Sequence, residues 1–530
     1  MLYYGNYRAH YQLTLKINAA AANYRLFCRR DMQVNSKNKT RIAIIGAGPA
    51  GLTAAYLLGK AGKYSVEVFE KDPVYVGGIS RTESYKGFHF DIGGHRFFSK
   101  SKEVEDFWTE ILGDEMLERP RTSRIYYNHL FFNYPLKAVE ALNKLGVVES
   151  ALCMFSYLKA KMFPVTNPKH FEDWVSNQFG SRLFRIFFKT YTEKVWGIDC
   201  KEISADWAAQ RIKGLSLSAA IHNALFAPKA GKANQIKTLI DSFRYPKFGP
   251  GQMWETCKMK AEAMGVKVYM SEGMQQLTQE TDEKWRVVTS TGKMFAGYDH
   301  VISSAPLRYL VKSITNPVSP ALQKSASSLA YRDFITVVLI LKDQQSFNDN
   351  WIYIHDPSVK MGRIQNFKSW SPFMVPDESM VCYGLEYFCF EGDNLWNSSN
   401  ESLIALGKSE LESIGIAKAA DVLDSYVVRQ PKAYPVYDQH YQDHVAVIRK
   451  EMQQFTGLVM TGRNGMHKYN NQDHSMMTAM LAVKNIIAGK QIFDLWNVNQ
   501  DAEYHEDGGR GAEEGGRKIP KRLTGASVTG

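Results

Sequence analysis

Three glycines near the start of the chain, followed by one acidic residue, have the types and the spacing that bind a dinucleotide. Gly46, Gly48 and Gly51 lie in the stretch RIAIIGAGPAG, directly after a short run of β-branched residues. In this pattern the first glycine allows a tight turn, the second lets the backbone approach a pyrophosphate, and the third lets a helix pack on the strand. Glu70 follows the next apolar run, where a carboxylate can accept hydrogen bonds from ribose hydroxyls. The four residues predict a dinucleotide site at one edge of a Rossmann-type sheet.

A second glycine pair, Gly77 and Gly78, precedes Arg81 in the stretch VGGISRT. The pair resembles the extended motif of FAD-binding proteins in the flavin amine oxidase superfamily, where it lies along the pyrophosphate. The resemblance implies FAD rather than NAD as the cofactor, with Arg81 among the residues that bind it. The residues alone leave a simple glycine turn as the alternative.

Further stretches in the first half of the chain resemble UDP-galactopyranose mutases. HFDIGGHRFFSK, at residues 89–100, is similar to the mutases' histidine loop, and the resemblance implies that Gly94 and His95 pass beside the flavin ring. YTEKVWG matches a mutase element, and Arg211 falls near an arginine that those enzymes use close to the sugar nucleotide. The stretch YPKFG is similar to a mutase turn that precedes GVKVYM, which implies that Val268 returns to the adenosine end of FAD.

The second half of the chain carries matches in the same order as in the mutases. They are MGRIQNFKSW, AYPVYDQHY and TGRNGMHKYNNQDHSMMTAM. The resemblance implies that the residues facing the substrate are Arg363, Tyr434, Tyr469 and Asn471, and that those beside the flavin are Arg463 and Gln472. It also implies that the helix after YNNQDH directs its positive end at the anionic cofactor. From the residues alone, this polar run could equally cap the helix.

The resemblance covers about residues 41–490 and implies a flavoenzyme that acts on a nucleotide sugar with reduced flavin. Arginine suits a diphosphate because its planar fork donates two parallel hydrogen bonds and keeps its charge, although a single arginine is often only a surface charge. His95 would hydrogen-bond near the flavin or adjust the charge of its ring. The candidate catalytic residues are His95, Arg211, Arg363, Tyr434, Tyr469 and Asn471.

The alternative function is an FAD-dependent oxidoreductase of the amine oxidase, protoporphyrinogen oxidase or desaturase type. Such an enzyme would remove hydride from an amine, a porphyrinogen or a polyene. Only one GxGxxG follows a clear strand, so no second NAD(P) domain is expected. NAD(P)H would then act as a transient reductant at the substrate opening.

These residues require an α/β fold, α+β overall, with an FAD-binding Rossmann-type domain built from discontinuous segments. Apolar β-branched runs predict the strands, and a helical insertion and a sheet-rich substrate domain lie between the segments. The predicted units are a disordered basic extension at 1–40, the FAD domain at 41–100, 243–305 and 440–490, a mostly helical insertion at 101–242, the substrate domain at 306–439, and a flexible tail at 491–530.

The net charge and the cysteine and histidine patterns narrow the classes of ligand and partner that the protein could bind. The net charge of +11 favours anionic ligands, and charge alone would also fit a nucleic-acid or membrane-surface protein. Much of that charge lies outside the matched region, so we expect a small-molecule substrate and no nucleic acid. Six cysteines without CxxC spacing argue against zinc and against a disulfide scaffold, and His467 and His474 lack a metal-binding pattern. A cytoplasmic protein without a transmembrane helix is predicted, since no apolar run reaches 18 residues.

Overall fold

The computed structural model describes residues 39–136, 138–205, 242–344 and 346–499. Two large sheets organise them. The strands are β1 (Thr40–Ile45), β2 (Tyr64–Phe69), β3 (Thr82–Tyr85), β4 (Phe88–Asp91), β5 (Met116–Pro120), β6 (Ser123–Tyr127), β7 (Leu130–Asn133), β8 (Ser242–Pro246), β9 (Lys267–Tyr269), β10 (Met274–Gln279), β11 (Trp285–Thr289), β12 (Met294–Tyr298), β13 (His300–Ser303), β14 (Tyr331–Lys342), β15 (Trp351–Ile354), β16 (Arg363–Asn366), β17 (Met380–Cys389), β18 (Val422–Pro435) and β19 (Leu458–Met460).

Helices cover and connect the sheets. They are α1 (Pro49–Ala61), α2 (Lys102–Leu112), α3 (Ala138–Leu145), α4 (Val147–Met162), α5 (Phe171–Phe179), α6 (Ser181–Phe184), α7 (Thr190–Trp196), α8 (Pro250–Ala263), α9 (Leu307–Ser313), α10 (Pro320–Ser328), α11 (Phe367–Trp370), α12 (Asn400–Ser413), α13 (Tyr441–Glu451) and α14 (Gln472–Ile487). In the described part of the chain, no helix is both long and apolar enough to cross a membrane.

The first sheet is parallel and has five strands in the order β19-β13-β1-β2-β9. Its central strand β1 buries its last four residues, because neighbouring strands and α1 cover them. Pro49 opens α1, where a missing N–H costs nothing, and Gly62 ends the helix in the left-handed conformation. The five strands come from three separate stretches of the chain, which confirms the predicted Rossmann-type fold built from discontinuous segments.

The second sheet has seven strands in the order β18-β14-β17-β16-β15-β6-β7, and only the β15–β6 pair is parallel. Its strand β14 is buried along almost its whole length, because side chains pack on both of its faces. Strands β6 and β7 belong to the stretch 101–242, for which we predicted mostly helices. That stretch therefore supplies helices and also one edge of the second sheet, and the division into domains stays a proposal.

The first residues of the tail predicted to be flexible from residue 491 pack on the protein. Leu495 and Val498 are buried against the parallel-sheet core. The ammonium group of Lys468 donates hydrogen bonds to the carbonyl oxygens of Trp496, at 2.7 Å, and Val498, at 2.5 Å. These contacts hold residues 491–499 on the protein, so the prediction was wrong for them. The predicted N-terminal extension at 1–38 and the rest of the tail lie outside the described residues.

Candidate functional site

At two of the three predicted positions in the turn between β1 and α1, no residue larger than glycine fits. Gly46 has a φ of +96°, and a Cβ there would lie 2.5 Å from the Ser304 Oγ. A Cβ on Gly51 would lie 1.9 Å from the carbonyl oxygen of Gly46, which no real contact allows. The close approach of helix and strand therefore depends on both glycines, as the spacing predicts.

The second glycine pair lies directly against this turn. The Gly77 N–H donates a hydrogen bond of 2.8 Å to the Ala47 carbonyl, and Gly77 and Gly78 both have positive φ. A Cβ on Gly78 would lie 3.5 Å from the Cα of Gly48. Two loops thus face each other at glycines, which have no side chains. Their bare backbone forms a surface that a pyrophosphate can approach closely.

Glu70 already binds the glycine turn. Its carboxylate accepts hydrogen bonds from the N–H groups of Ala47, at 2.6 Å, and Asp72, at 2.9 Å. A carboxylate has about four acceptor positions, so ribose hydroxyls can still bind here. Val268 lies in strand β9 and pairs with Val68 of strand β2, two residues before Glu70. The roles of both residues toward a ribose remain predictions.

Arg81 lies next to the second glycine pair but binds protein groups. Its Nε and Nη2 donate to the Glu83 Oε1 at 3.1 and 2.9 Å, and its Nη1 donates to the Gln430 Oε1 at 2.5 Å. A longer bond of 3.3 Å reaches the Gly78 carbonyl. The arginine therefore braces the glycine loop against β18, and a direct contact with the cofactor remains a prediction.

His95 is a neutral residue at the junction of the two sheets. Its Nδ1 lies 3.0 Å from the Gly93 carbonyl, which can only accept, so Nδ1 carries the proton and Nε2 is left as an acceptor. Burial, together with the charges of Arg463 and Arg363, lowers the pKa of His95 to about 3. A Cβ on Gly94 would lie 3.2 Å from the Trp370 ring, so the backbone there runs close to an aromatic wall. A planar ring system can approach this loop closely.

Arg363 begins strand β16 and is held by a buried carboxylate. Its Nε and Nη2 donate to the Glu386 Oε2 at 2.7 and 2.5 Å. Gln365 donates from its Nε2 to the other oxygen of Glu386. Burial opposes the charge of Arg363, but Glu386 raises the pKa of the guanidinium above its usual value. The arginine is therefore a permanently charged and oriented group beside His95.

A second arginine lies against two stacked phenol rings. The rings of Tyr434 and Tyr469 are 5.6 Å apart with an angle of 20° between them, and the Arg463 guanidinium lies 5.2 and 5.0 Å from their centroids. Backbone carbonyls of Asn470, at 2.7 Å, and Ala433, at 3.1 Å, orient this arginine. Burial and the neighbouring Tyr469 raise the pKa of Tyr434 to about 12, so its hydroxyl stays a neutral donor. The cluster joins Arg463 to two phenol rings, and Arg363 lies near enough for its charge to affect the pKa of Tyr434.

Asn471 caps helix α14. It forms a reciprocal capping box with His474, whose Nδ1 accepts a hydrogen bond of 3.2 Å from the Asn471 N–H. The first turn also contains Asp473, whose carboxylate accepts a 3.2 Å hydrogen bond from Ser99 and offsets the positive end of the helix. The capping interpretation of this polar run therefore holds for Asn471, and its contact with a sugar nucleotide remains a prediction.

Two buried amide oxygens test whether this site fits a flavin. Gln472 donates from Nε2 to the Arg96 carbonyl at 3.1 Å, which leaves its Oε1 buried and without a partner among the described residues. Gln365 donates to Glu386, and its Oε1 is in the same situation, 3.4 Å from a Cβ built on Gly94. An unsatisfied buried acceptor is costly, so a ligand with ring N–H groups would stabilise both. These two acceptors and the glycine cradle fit FAD.

Five predicted residues from both halves of the chain lie close together in the structure: His95, Arg363, Tyr434, Arg463 and Tyr469. Arg211 lies outside the described residues, so its predicted role near the sugar nucleotide stays a prediction. Sequence reasoning missed Gln365 and Glu386. Gln365 could have been found, since alternation along a strand puts it on the same face as Arg363 two residues earlier. Glu386 offers no local signal, because it meets Arg363 only through the pairing of β16 with β17.

No group of three or more His, Cys, Asp or Glu side chains is arranged to hold a metal ion in the part of the chain that the structure covers. The site's polar groups are instead arginines, tyrosines and amides. This donor set suits an anionic organic ligand.

Comparisons with known proteins agree with this geometry. A family model described as an NAD(P)-binding Rossmann-like domain matches residues 44–111. The structure of reduced UDP-galactopyranose mutase is similar with a TM-score of 0.75 and 21% identity, over 87% of this chain and 99% of that chain. A protein from Exiguobacterium sp. assigned as a protoporphyrinogen oxidase has a TM-score of 0.65 and 16% identity, over 86% and 100%. Putrescine oxidase bound to putrescine has 0.57 and 16%, over 85% and 99%.

Proposed function

We propose that this protein is an FAD-dependent flavoenzyme that acts on a nucleotide sugar with reduced flavin, similar to UDP-galactopyranose mutase. The supporting observation is the position of the charged cluster. Arg363, Arg463, Tyr434 and Tyr469 lie beside His95, at the place where the glycine loops and the seven-stranded sheet meet. The fold shared with the mutase and with several oxidases supports the cofactor, since the mutase structure is described as reduced.

The chain's own residues would bind and orient both ligands. The glycine turns at Gly48 and Gly78 would take the pyrophosphate of FAD. Bound and reduced, FAD would supply a nucleophilic ring nitrogen at the anomeric carbon of the sugar. Arg363 would hold the departing nucleotide diphosphate as charge develops on it, and Tyr434 would donate a hydrogen bond to the same group. The neutral His95 would accept a hydrogen bond through Nε2 without adding charge beside the flavin.

A fixed positive charge in the cluster discriminates between possible substrates. Glu386 balances the charge of the half-buried Arg363. The half-buried Arg463 donates to backbone carbonyls and forms no ion pair among the described residues, so its charge would repel a protonated amine. The cluster therefore disfavours a polyamine substrate of the kind that putrescine oxidase binds. It fits diphosphates, and it also fits the carboxylates of an acidic porphyrinogen. Oxidation of such a porphyrinogen is the second candidate function.

An anaerobic flavin titration tests the proposal. The purified protein should carry FAD, and addition of UDP or a UDP-hexose to the reduced protein should change the flavin spectrum with an affinity of about 1 μM. NADPH and dithionite are compared as reductants, because the described residues contain one dinucleotide fold and NAD(P)H would have to enter through the substrate opening.

The same titration, repeated with a porphyrinogen, distinguishes the two candidate functions. If a porphyrinogen bleaches the oxidised flavin and UDP leaves the reduced spectrum unchanged, the protein is an oxidase and the proposal is wrong. Absence of FAD after expression with excess riboflavin would overturn both functions.

A further inference from the structure

One short stretch of the chain holds half of the large apolar side chains that are exposed to solvent. The described residues expose sixteen such side chains, and eight of them fall between positions 147 and 165. Phe155 is 68% exposed, Met162 is 66% exposed and Phe163 is 75% exposed. The other five are Val147, Val148, Leu152, Leu158 and Val165. A concentration of this kind on a water-soluble surface marks an interaction site.

Helix α4 presents these residues on a single face. With about 100° of rotation per residue, positions 148, 152, 155, 158 and 162 line one side of the helix. The opposite side packs on the protein through the buried side chains of Cys153 and Tyr157, and polar contacts flank them. Arg182 donates to Glu149 at 2.5 and 2.6 Å, and Ser150 donates to the Leu142 carbonyl at 2.7 Å. The helix therefore has one side anchored in the protein, while the apolar side chains of the other side are in water.

Exposed basic residues lie within and next to the stretch that carries the apolar face. Lys159, Lys161 and Lys169 are all exposed. Glu149 is the only acidic residue between positions 141 and 171, and it is half-buried and paired with Arg182. An apolar face with a positive rim complements a surface that is apolar inside and negative outside.

We propose that the apolar face of α4 and the following loop through Val165 bind the surface of an anionic lipid membrane. The helix has 16 residues and is too short to span a bilayer, so it would lie in the headgroup region with Phe155 and Met162 among the acyl chains. The three lysines would contact anionic headgroups. This inference does not depend on the flavin chemistry.

Charge also argues against two other occupants. A second copy of the chain would bring an equally basic rim against this one. The stretch 206–241 leaves the described residues close by, since the Ala205 N–H donates to the Lys169 carbonyl at 3.0 Å. That stretch carries five Lys and Arg against two Asp, so its charge does not complement the rim.

Vesicle binding of the full-length protein provides the test. We expect co-sedimentation with phosphatidylcholine vesicles that contain phosphatidylserine, weaker binding at high salt, and little binding to pure phosphatidylcholine. The double variant Phe155→Ser, Met162→Ser and the charge variant Lys159→Glu, Lys161→Glu should each lower vesicle partitioning by about tenfold or more. The matched control is Met294→Ser, Leu423→Ser, which removes exposed apolar side chains elsewhere and should bind like the wild type.

Thermal unfolding and light scattering of the same variants distinguish the occupants. Because the replaced side chains contact solvent, their unfolding midpoints should equal that of the wild type. A lowered midpoint with unchanged vesicle binding would mean that the chain's own stretch 206–241 covers the face. A wild-type dimer that the variants convert to monomers would assign the face to a second copy, and either result overturns the proposal.

Discussion

At the scale of single residues, Arg363 shows how one side chain can be held by the protein and still serve a ligand. Its Nε and Nη2 are used by Glu386, which accounts for two of its five N–H donors. Glu386 is buried and pairs with Arg363, so it fixes the plane of the guanidinium. Among the described residues, Glu386 forms no ion pair with another cation. The proposed diphosphate site depends on this fixed fork.

Replacement of Arg363 by lysine tests that dependence. Arg363→Lys keeps the charge and a partner for Glu386, but loses the second parallel hydrogen bond to a diphosphate. We expect UDP to bind about tenfold more weakly, which corresponds to about 1.4 kcal/mol, with FAD content unchanged. Isothermal titration calorimetry measures the affinity.

A matched control exists in the same sheet. Arg124 holds Asp349 through Nε and Nη2 at 2.8 and 2.7 Å, and Arg124→Lys should leave UDP affinity as it is. Equal affinities for the two variants would contradict a role of Arg363 in substrate binding.

Asp91 is a residue whose protonation is set by burial. The carboxyl group is fully buried and accepts hydrogen bonds from Tyr245 and, at 3.0 Å, from Thr82. Burial raises the pKa of Asp91 to about 8, far above the ordinary value near 3.8. The folded protein thus keeps a proton that the unfolded chain releases. Its stabilising effect is complete below about pH 4 and is lost as the pH rises toward 8.

Asp91→Asn should remove this dependence. Between pH 5 and 8 the free energy of unfolding of the wild type should fall relative to the variant by about 1.4 kcal/mol per pH unit. Denaturant unfolding at several pH values measures the difference. The exposed Asp106, paired with Lys102, supplies the control, and Asp106→Asn should follow the wild type. Parallel profiles for Asp91→Asn and the wild type would show that Asp91 is ionised in the folded protein.

At the scale of elements, the β1–α1 turn separates a glycine needed for folding from one needed for the cofactor. Gly51 is buried, and a Cβ there would lie 1.9 Å from a carbonyl oxygen. At Gly48 the nearest atom to a Cβ is the Cα of Gly78, at 4.0 Å. The contact at Gly51 is therefore between parts of the fold itself. At Gly48 a Cβ has space in the unliganded protein, but a bound pyrophosphate would occupy that space.

Alanine substitutions at these two glycines should therefore affect different properties, namely stability and FAD binding. Gly51→Ala should lower the free energy of unfolding of the apoprotein by about 3 kcal/mol, because helix and strand must move apart. Gly48→Ala should leave the apoprotein stable and weaken FAD binding by about tenfold or more, since the added methyl group occupies the path of the pyrophosphate. Thermal unfolding of the apoproteins and FAD titration measure the two effects. Destabilisation of the apoprotein by Gly48→Ala would contradict this division.

Helix α14 shows where local reasoning about an element reaches its limit. The sequence predicted that a polar run precedes a buried helix, and the capping box of Asn471 and His474 is a local interaction that such a run allows. The sequence did not indicate that Gln472 would reach the Arg96 carbonyl, because that contact joins residues 376 positions apart. The Oε1 of the same residue is buried and has no hydrogen-bond partner among the described residues.

At the scale of the whole molecule, the site exists because two sheets meet. The parallel sheet supplies the glycine loops, the seven-stranded sheet supplies Arg363, and the loop at His95 runs between them. Contacts across the junction include Arg81 with Gln430 and Arg463 with the Ala433 carbonyl. Packing of the two sheets therefore brings cofactor and substrate groups together, and no single segment could do so.

The dinucleotide fold and most of the candidate residues can be recognised from the sequence, because a strand, a glycine turn and a helix are encoded by neighbouring positions. Tertiary structure decided the rest. It paired Arg363 with Glu386, turned Arg81 toward Gln430, packed residues 491–499 on the protein and exposed the apolar side of α4. Each of these outcomes depends on which distant residues pack together, and on which faces remain uncovered after packing. Spacing along the chain carries no such information.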